Sequence, residues 1–478
     1  MTLKEIQELS AAPKKLYDKV KELAPEIDID AINWEPENHG VCRPEVRPMR
    51  KVDVPTGVDD PETNEPGYKT EYQEVNRIPS ATNKDIVSWQ VRMALGVPVT
   101  YKANTTNKQE ETILAMVQKT ISDNKMAYLD QQIEEKRLIY GYVFEVWYTE
   151  PAPKGYWGDI APLSTFRDRV VILSPADGDQ IVPFFDEYKD LIAVARLYTQ
   201  KIDGKDVEKM ELFTSETKTT YTSIGADWQL EGSPVKTFSG KLRGILHVSD
   251  RMPTKDVQAK LDRREISDSD TAEENLASGR PLLVATGDIS AVGTRASTGK
   301  TFQMSGEGAD LKYVEPAGAQ ESINEERKNL ITDIYRETST PDPSIFDSTG
   351  TGDIPGISIK LRFTPAINSA LSKQQGPIGI AHQRRVNLLK ADMAVINKSV
   401  ESAVTLDIVP VFGIAIPENT KEKYDNVVNL YGAGLMSIKT AITTLGIVEN
   451  VDEEIEAIEK EVAARALLNQ PKPTQPVS

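Results

Sequence analysis

Residues Gly293–Thr301, Gly-Thr-Arg-Ala-Ser-Thr-Gly-Lys-Thr, end as a phosphate-cradling loop ends. In such a loop backbone N–H groups wrap the phosphates, the lysine neutralises charge and the threonine reaches a metal ion. The cradle needs four residues between its two glycines, and here there are five. It must also open a helix whose N-terminus faces the anion. Phe302–Gly306 leads instead to another glycine and a predicted strand. The spacing favours a hairpin tip, with a nucleotide-dependent enzyme using Lys300 and Thr301 as the alternative. A second cluster, Gly350-Thr-Gly352 with Gly356, follows a predicted helix rather than a strand, so it lacks the βαβ setting of a dinucleotide fingerprint.

Other reactive groups are sparse. His39, His247 and His382 stand at no metal-ligand spacing, and no His-Glu-x-x-His, Cys-x-x-Cys or Gly-x-Ser-x-Gly motif occurs. The acidic runs Asp262/Glu265/Asp268/Asp270 and Glu449/Asp452/Glu453/Glu454 read as solvated helix faces. No catalytic residue, metal or cofactor is expected. Cys42 is the single cysteine and forms no intrachain disulfide.

The elements that hold these residues follow from charge and periodicity. The chain has 478 residues, 39% hydrophobic and 27% charged, enough to bury more than one core. Its 56 Lys+Arg against 73 Asp+Glu give −17, which argues against a broad basic grip on nucleic acid. It permits DNA to slide past without being held. Residues 1–20 lack a signal-peptide core, and Ile408–Ile416 is too short for a bilayer and contains Pro410, so a soluble cytoplasmic protein is expected.

Residues 1–80 read as an N-terminal arm, helical at first, then proline-rich, extended and partly flexible. Helical patterns cover 82–95 and about 108–140, and then the period changes to two. Val143–Tyr148, Arg169–Leu173, Ala193–Gln200, Lys209–Phe213 and Thr219–Ser223 predict antiparallel strands. Lys255–Ala277 predicts a helix so polar that it should lie in solvent or pack against copies of itself. A small β unit over 282–314, a helix over 319–338 and a Gly/Pro loop over 340–356 come next. The helical region 357–400 should kink or break at Pro365 and Gly376–Pro377. Leu406–Ile416 predicts a strand, and helices continue to a proline-rich tail. The fold class is α+β.

Leu330-Ile-Thr-Asp-Ile-Tyr-Arg-Glu-Thr-Ser-Thr-Pro-Asp342, followed by Gly350-Thr-Gly-Asp-Ile-Pro-Gly-Ile-Ser-Ile-Lys-Leu-Arg-Phe363, resembles the core of siphovirus-type phage portal proteins. There a stem helix ends in a Thr/Ser-Pro-Asp turn, a glycine-rich tunnel loop follows, and a long helix begins. Gly434-Leu-Met-Ser-Ile-Lys-Thr-Ala-Ile442 with Val451-Asp-Glu-Glu-Ile-Glu-Ala-Ile-Glu459 is similar to the family's closing helix pair. Asn83–Tyr101 is similar to its early helix ending in Gly-x-Pro-Val-Thr. The chain departs from the family in its short Pro/Gln tail.

The resemblance implies a portal-type subunit: an arm (1–80), a wing (81–253), a stem helix (254–277), a small β clip (278–316) and a second stem helix (317–339). A tunnel loop (340–356), a long kinked helix with a returning wing strand (357–417), crown helices (418–468) and a flexible tail (469–478) complete it. It implies a homo-oligomer, a dodecamer in particles, at one capsid vertex, through which double-stranded DNA is packaged and ejected. Implied partners are large terminase, a head-tail adaptor, and the major capsid and scaffolding proteins, with no membrane. The implied location is the virion, after assembly in the host cytoplasm. Asp342, Ile345, Phe346, Asp347, Thr349, Asp353 and Ile354 would face DNA in the tunnel loop, and Arg295, Lys300 and Phe302 would meet terminase or adaptor at the clip. A channel-less oligomeric scaffold or tail component is the remaining alternative.

Overall fold

The computed structural model describes residues 2–25, 29–59, 66–237, 239–249, 252–278, 282–292, 302–314, 320–342, 356–415, 420–448 and 450–468. They form two compact units, Met1–Asp342 with Pro365–Ala415, and Pro343–Thr364 with Ile416–Ser478. Helices and strands both contribute largely, so the α+β class holds.

The first unit starts with α1 (Leu3–Ser10) and α2 (Pro13–Leu23). Thr2 and Glu5 form a reciprocal capping box that satisfies two orphan amides of α1. Ile6, Leu16 and Val20 point from these helices into a core with Val182, Phe184, Tyr221 and Trp228. Burying each of the three is worth roughly 1.5–3 kcal/mol, enough to hold two short helices that would be marginal alone. Tyr17 stacks on Trp228 at 4.5 Å between ring centroids. A short helix α3 (Ile29–Ile32) and an antiparallel hairpin of β1 (Arg50–Asp59) and β2 (Pro66–Gln73) follow. The helix expected at the start of residues 1–80 is present as two, and part of the extended stretch is a strand pair, but His39 and Val41 between them are buried.

Next come α4 (Thr82–Leu95), β3 (Thr100–Lys102), α5 (Lys108–Asp123) and α6 (Met126–Tyr140). The helical run 108–140 is divided by Lys125, whose φ of 57° lies in the left-handed region. Two antiparallel sheets carry the period-two segments. In one, β12 (Gly244–Val248), β4 (Tyr142–Pro151) and β5 (Phe166–Leu173) lie in that order. The other has the order β10 (Asp227–Leu230), β9 (Thr217–Ile224), β8 (Lys205–Thr214), β7 (Leu191–Ile202), β6 (Gln180–Phe185), with β11 (Val235–Lys236) pairing β9. All five strands expected from the sequence are present. β6 escaped notice because it contains Pro183, which a strand tolerates at a sheet edge, where β6 lies.

Helix α7 (Gln258–Ser278) and α8 (Gln320–Glu337) flank a hairpin of β13 (Leu282–Val292) and β14 (Phe302–Val314), in which Leu282 pairs Val314 and Val292 pairs Phe302. The expectation that α7 is poorly buried within one chain is corrected. Leu261, Glu265, Ser267, Ser269 and Thr271 are buried, and the chain's own residues 39–50 and 76–82, with α8, supply polar partners to the helix. Arg47 spans Asp270 at 2.7 Å and Glu273 at 3.1 Å. The amides of Ile78 and Ser80 donate to Ser269 Oγ (2.9 Å) and Glu265 Oε1 (2.8 Å). From α8, Arg327 meets Asp268 at 2.5 Å and Glu337 meets Lys260 at 2.6 Å. A hydropathy pattern registers apolar burial only, so it missed a cover made of matched charges.

Helix α9 (Gly356–Gln375) runs through Pro365, while α10 (Pro377–Ile396) starts after Gly376, whose φ −99°, ψ −114° is non-helical. The helix breaks at Gly376–Pro377, as expected, and continues without a break through Pro365. Proline forfeits one ladder bond and continues a helix when the rest of the turn is supported, and it is favourable at a first helical position. The strand expected over Leu406–Ile416 shrinks to β15 (Val409–Val411), since its partner β3 offers only three residues. In the second unit α11 (Thr420–Gly432), α12 (Ile438–Leu445) and α13 (Val451–Leu468) succeed one another, with Ser437 capping α12 and Gly446 ending it at φ 67°.

Candidate functional site

The clip candidates Arg295 and Lys300 lie outside the described residues, and Phe302 opens β14 opposite Val292. The Gly-Lys-Thr segment therefore joins two antiparallel strands. The described element that follows it is a strand and not a helix, unlike the helix that a phosphate cradle opens. Of the tunnel-loop candidates, Ile345, Phe346, Asp347, Thr349, Asp353 and Ile354 lie outside the described residues, and Asp342, half-buried, ends the first of the two segments that make up the first unit.

The entry to that loop is built from buried polar contacts. Ser339 takes a left-handed φ of 52°, and the Thr340 amide turns back to the Tyr335 carbonyl at 2.9 Å, closing α8. Gln90 on α4 donates to the Thr338 carbonyl at 2.9 Å, and its own carbonyl accepts from Lys373 Nζ at 2.6 Å. One α4 side chain thus ties the end of α8 to α9. Burial pushes the Lys373 ammonium down to about 8, with Glu134 at 3.9 Å opposing that shift. The sequence offered no sign of this contact, since an isolated glutamine on a helix carries no pattern.

The densest group of titratable side chains is centred on Arg385 of α10. Its guanidinium meets Glu145 of β4 through two bonds of 2.6 and 2.8 Å and Asp130 of α6 at 2.7 Å. Trp147 and His247 donate to the remaining Glu145 lone pairs at 2.6 and 2.8 Å. Tyr101 and His382 share a 2.8 Å bond beside them. Burial alone would raise Glu145, but Arg385 and His247 overcome it and hold the carboxylate far below its usual range. Burial raises Asp130 and lowers His382 well below the usual histidine value. Burial also pushes the Tyr101 phenol up to about 12.

A cavity of about 240 Å³ adjoins this group and is lined by Asp130, His247, His382, Ile378 and Leu246. Both carboxylates facing Arg385 are already bonded to it, so neither is free to act as a general base. The arrangement pins α10 to β4, α6 and β3. His382, Arg385 and Asp392 fall at three- and seven-residue steps among Val386, Leu389 and Met393. Polar residues on an apolar helix face were the one sequence signal for a buried network.

A second buried group lies nearby. Arg243 stands 3.3 Å from Asp168 and 2.5 Å from Asp392, and both carboxyl groups are fully buried. Two acids share one guanidinium, so burial, and then the neighbouring Asp168, pushes Asp392 up to about 7. No cluster of His, Cys, Asp and Glu among the described residues could hold a metal ion. No helix among them is long and apolar enough to cross a membrane.

The family model for phage portal proteins, SPP1 Gp6-like, matches residues 58–466. The chain belongs to this portal family. The match takes in both sheets, the hairpin, α8 through α12 and most of α13, so the portal resemblance extends far beyond the motifs at 330–363 and 434–459. A portal protein is a structural component of the virion, and the nucleotide-dependent alternative is not favoured. Among solved structures, the portal chain is similar to one in the neck of an empty gene transfer agent particle computed with C6 symmetry. There the identity is 11% and the TM-score 0.36, over 77% of this chain and 90% of the other. A chain from the native particle's neck computed with C12 symmetry gives the same four values. One from the native virion gives 12% identity and a TM-score of 0.34, over 77% and 89%. No curated protein matches the sequence.

Proposed function

We propose that copies of this portal protein, twelve in the particle, close into a ring at one capsid vertex and form the channel for double-stranded DNA. The single observation that carries this reading is the portal-family match along residues 58–466. The net charge of −17 supports it, since like-charged copies around a channel repel phosphate and keep DNA from sticking. In this reading 81–253 is the wing, α7 and α8 the stem, 278–316 the clip and 418–468 the crown. The clip, through Arg295, Lys300 and Phe302, takes the terminase during packaging and an adaptor afterwards. Capsid and scaffolding proteins surround the ring during assembly in the host cytoplasm. The protein itself supplies no catalytic residue, and ATP hydrolysis belongs to the terminase.

Residues 340–356 are the proposed constriction. They hold Asp342, Asp347 and Asp353 and no basic residue, so they meet DNA by shape rather than by charge pairing, with Ile345, Phe346 and Ile354 as the apolar contacts and Thr349 among them. Deleting Ser344–Gly352 tests this, with procapsid assembly and DNA packaging followed separately. Rings and procapsids are expected in normal yield, while packaged DNA falls sharply. Full-length packaging by the deletion variant would remove this loop from the DNA path.

A further inference from the structure

The cover over α7 closes on one histidine. His39 is buried, with Nδ1 2.7 Å from Glu265 Oε1 and Nε2 2.8 Å from the Asn33 carbonyl oxygen. Both partners are acceptors: a backbone carbonyl only accepts, and so does the Glu265 carboxylate, which receives the Ser80 amide on the same Oε1 at 2.8 Å. A neutral imidazole has one N–H and one lone pair, so it would set that lone pair against an oxygen at one of its two contacts. Only the doubly protonated ring satisfies both.

Charge around the ring agrees with this. Glu265 and, one turn earlier, Asp262 face it from α7. In its own segment Cys42, not the ring, is the group that feels Glu37 and Arg77, and Arg43 is held to Asn33 Oδ1 at 3.1 Å. Arg264 of α7 bonds Thr82 Oγ1 at 2.9 Å. Burial opposes the charged ring, but the bond to Glu265 and its charge outweigh that, and His39 is raised above the usual histidine value.

We propose that the protonated His39 ring is a clamp that holds residues 33–50 and 76–80 over helix α7, and that this cover loosens when the ring loses its proton. The polar face of α7 around Glu265, Ser269 and Glu273 is then exposed to whatever lies beside it. A group with a raised value in the folded state contributes fully below its unfolded value. That contribution is lost as pH rises through the folded one. The clamp is therefore closed below the ordinary histidine value and weakens as pH rises above it.

Hydrogen exchange of the full chain, read by mass spectrometry from pH 5.5 to 9 and corrected for intrinsic exchange, tests this. Protection of 258–271 and of 33–48 is expected to stay level up to about pH 6.5, near the ordinary histidine value. It should then fall by at most about tenfold per unit and level off, as the loss of one proton dictates. Protection of α5 should not follow the same curve. In His39→Leu the drop disappears at whatever base level that variant sets. In Glu265→Gln the drop shrinks, because the carboxylate favours the charged ring, and this variant carries the test if His39→Leu does not fold. A flat wild-type profile over 258–271, or an undiminished drop in either folded variant, would overturn the clamp.

Discussion

Arg385 and Glu145 are 240 residues apart in sequence, and both are completely buried, joined by two hydrogen bonds of 2.6 and 2.8 Å. The pair fastens α10 to β4, and Asp130 adds α6 to the same guanidinium. Removing one partner of such a pair leaves an uncompensated buried charge, at a cost of about 3–5 kcal/mol. Arg385→Met is expected to lose that much in urea unfolding. The double variant Arg385→Met with Glu145→Gln should lose clearly less than the two single losses added together. Equal additivity would mean that the two side chains do not act as a unit.

The Asp168–Arg243–Asp392 group gives a pH dependence of definite sign. Asp392 is raised from its ordinary 3.8 to about 7, so the folded state holds its proton more tightly than the unfolded state does. Its contribution is present below the ordinary value and is lost as pH rises to about 7. Asp392→Asn should therefore gain stability relative to wild type between pH 5 and pH 8, read as urea midpoints at both values. A constant difference between the two proteins across that range would rule out this titration.

The Gly-Lys-Thr segment is expected to be inert. It has one residue too many between its glycines, and it enters strand β14 instead of a helix. Isothermal titration of the purified protein should show no ATP binding and no hydrolysis, and Lys300→Ala should leave both unchanged. Stoichiometric ATP binding abolished by Lys300→Ala would restore the enzymatic reading.

Much of the fold was legible because its signals are local. Strands β4, β5, β7, β8 and β9 are short β-rich runs bounded by Gly, Asp and Pro, and α4, α8 and α10 each keep an apolar face. What escaped was burial achieved by polar pairing. Arg385, Glu145, His39, Glu265 and Gln90 are all removed from water, and each is made tolerable by a partner 90 or more residues away along the chain. Composition cannot foresee such partners. The polarity of α7, read as an invitation to neighbouring copies, is answered within the chain. The case for a ring accordingly rests on the family and not on that helix.

Electron microscopy of the purified full-length protein, with its mass measured by light scattering at high concentration, tests the portal reading most directly. Closed rings with a central hole are expected, at about ten to fourteen copies, as a heterologous contact that closes on itself produces. A monodisperse monomer at high concentration, with no rings in the images, would contradict it.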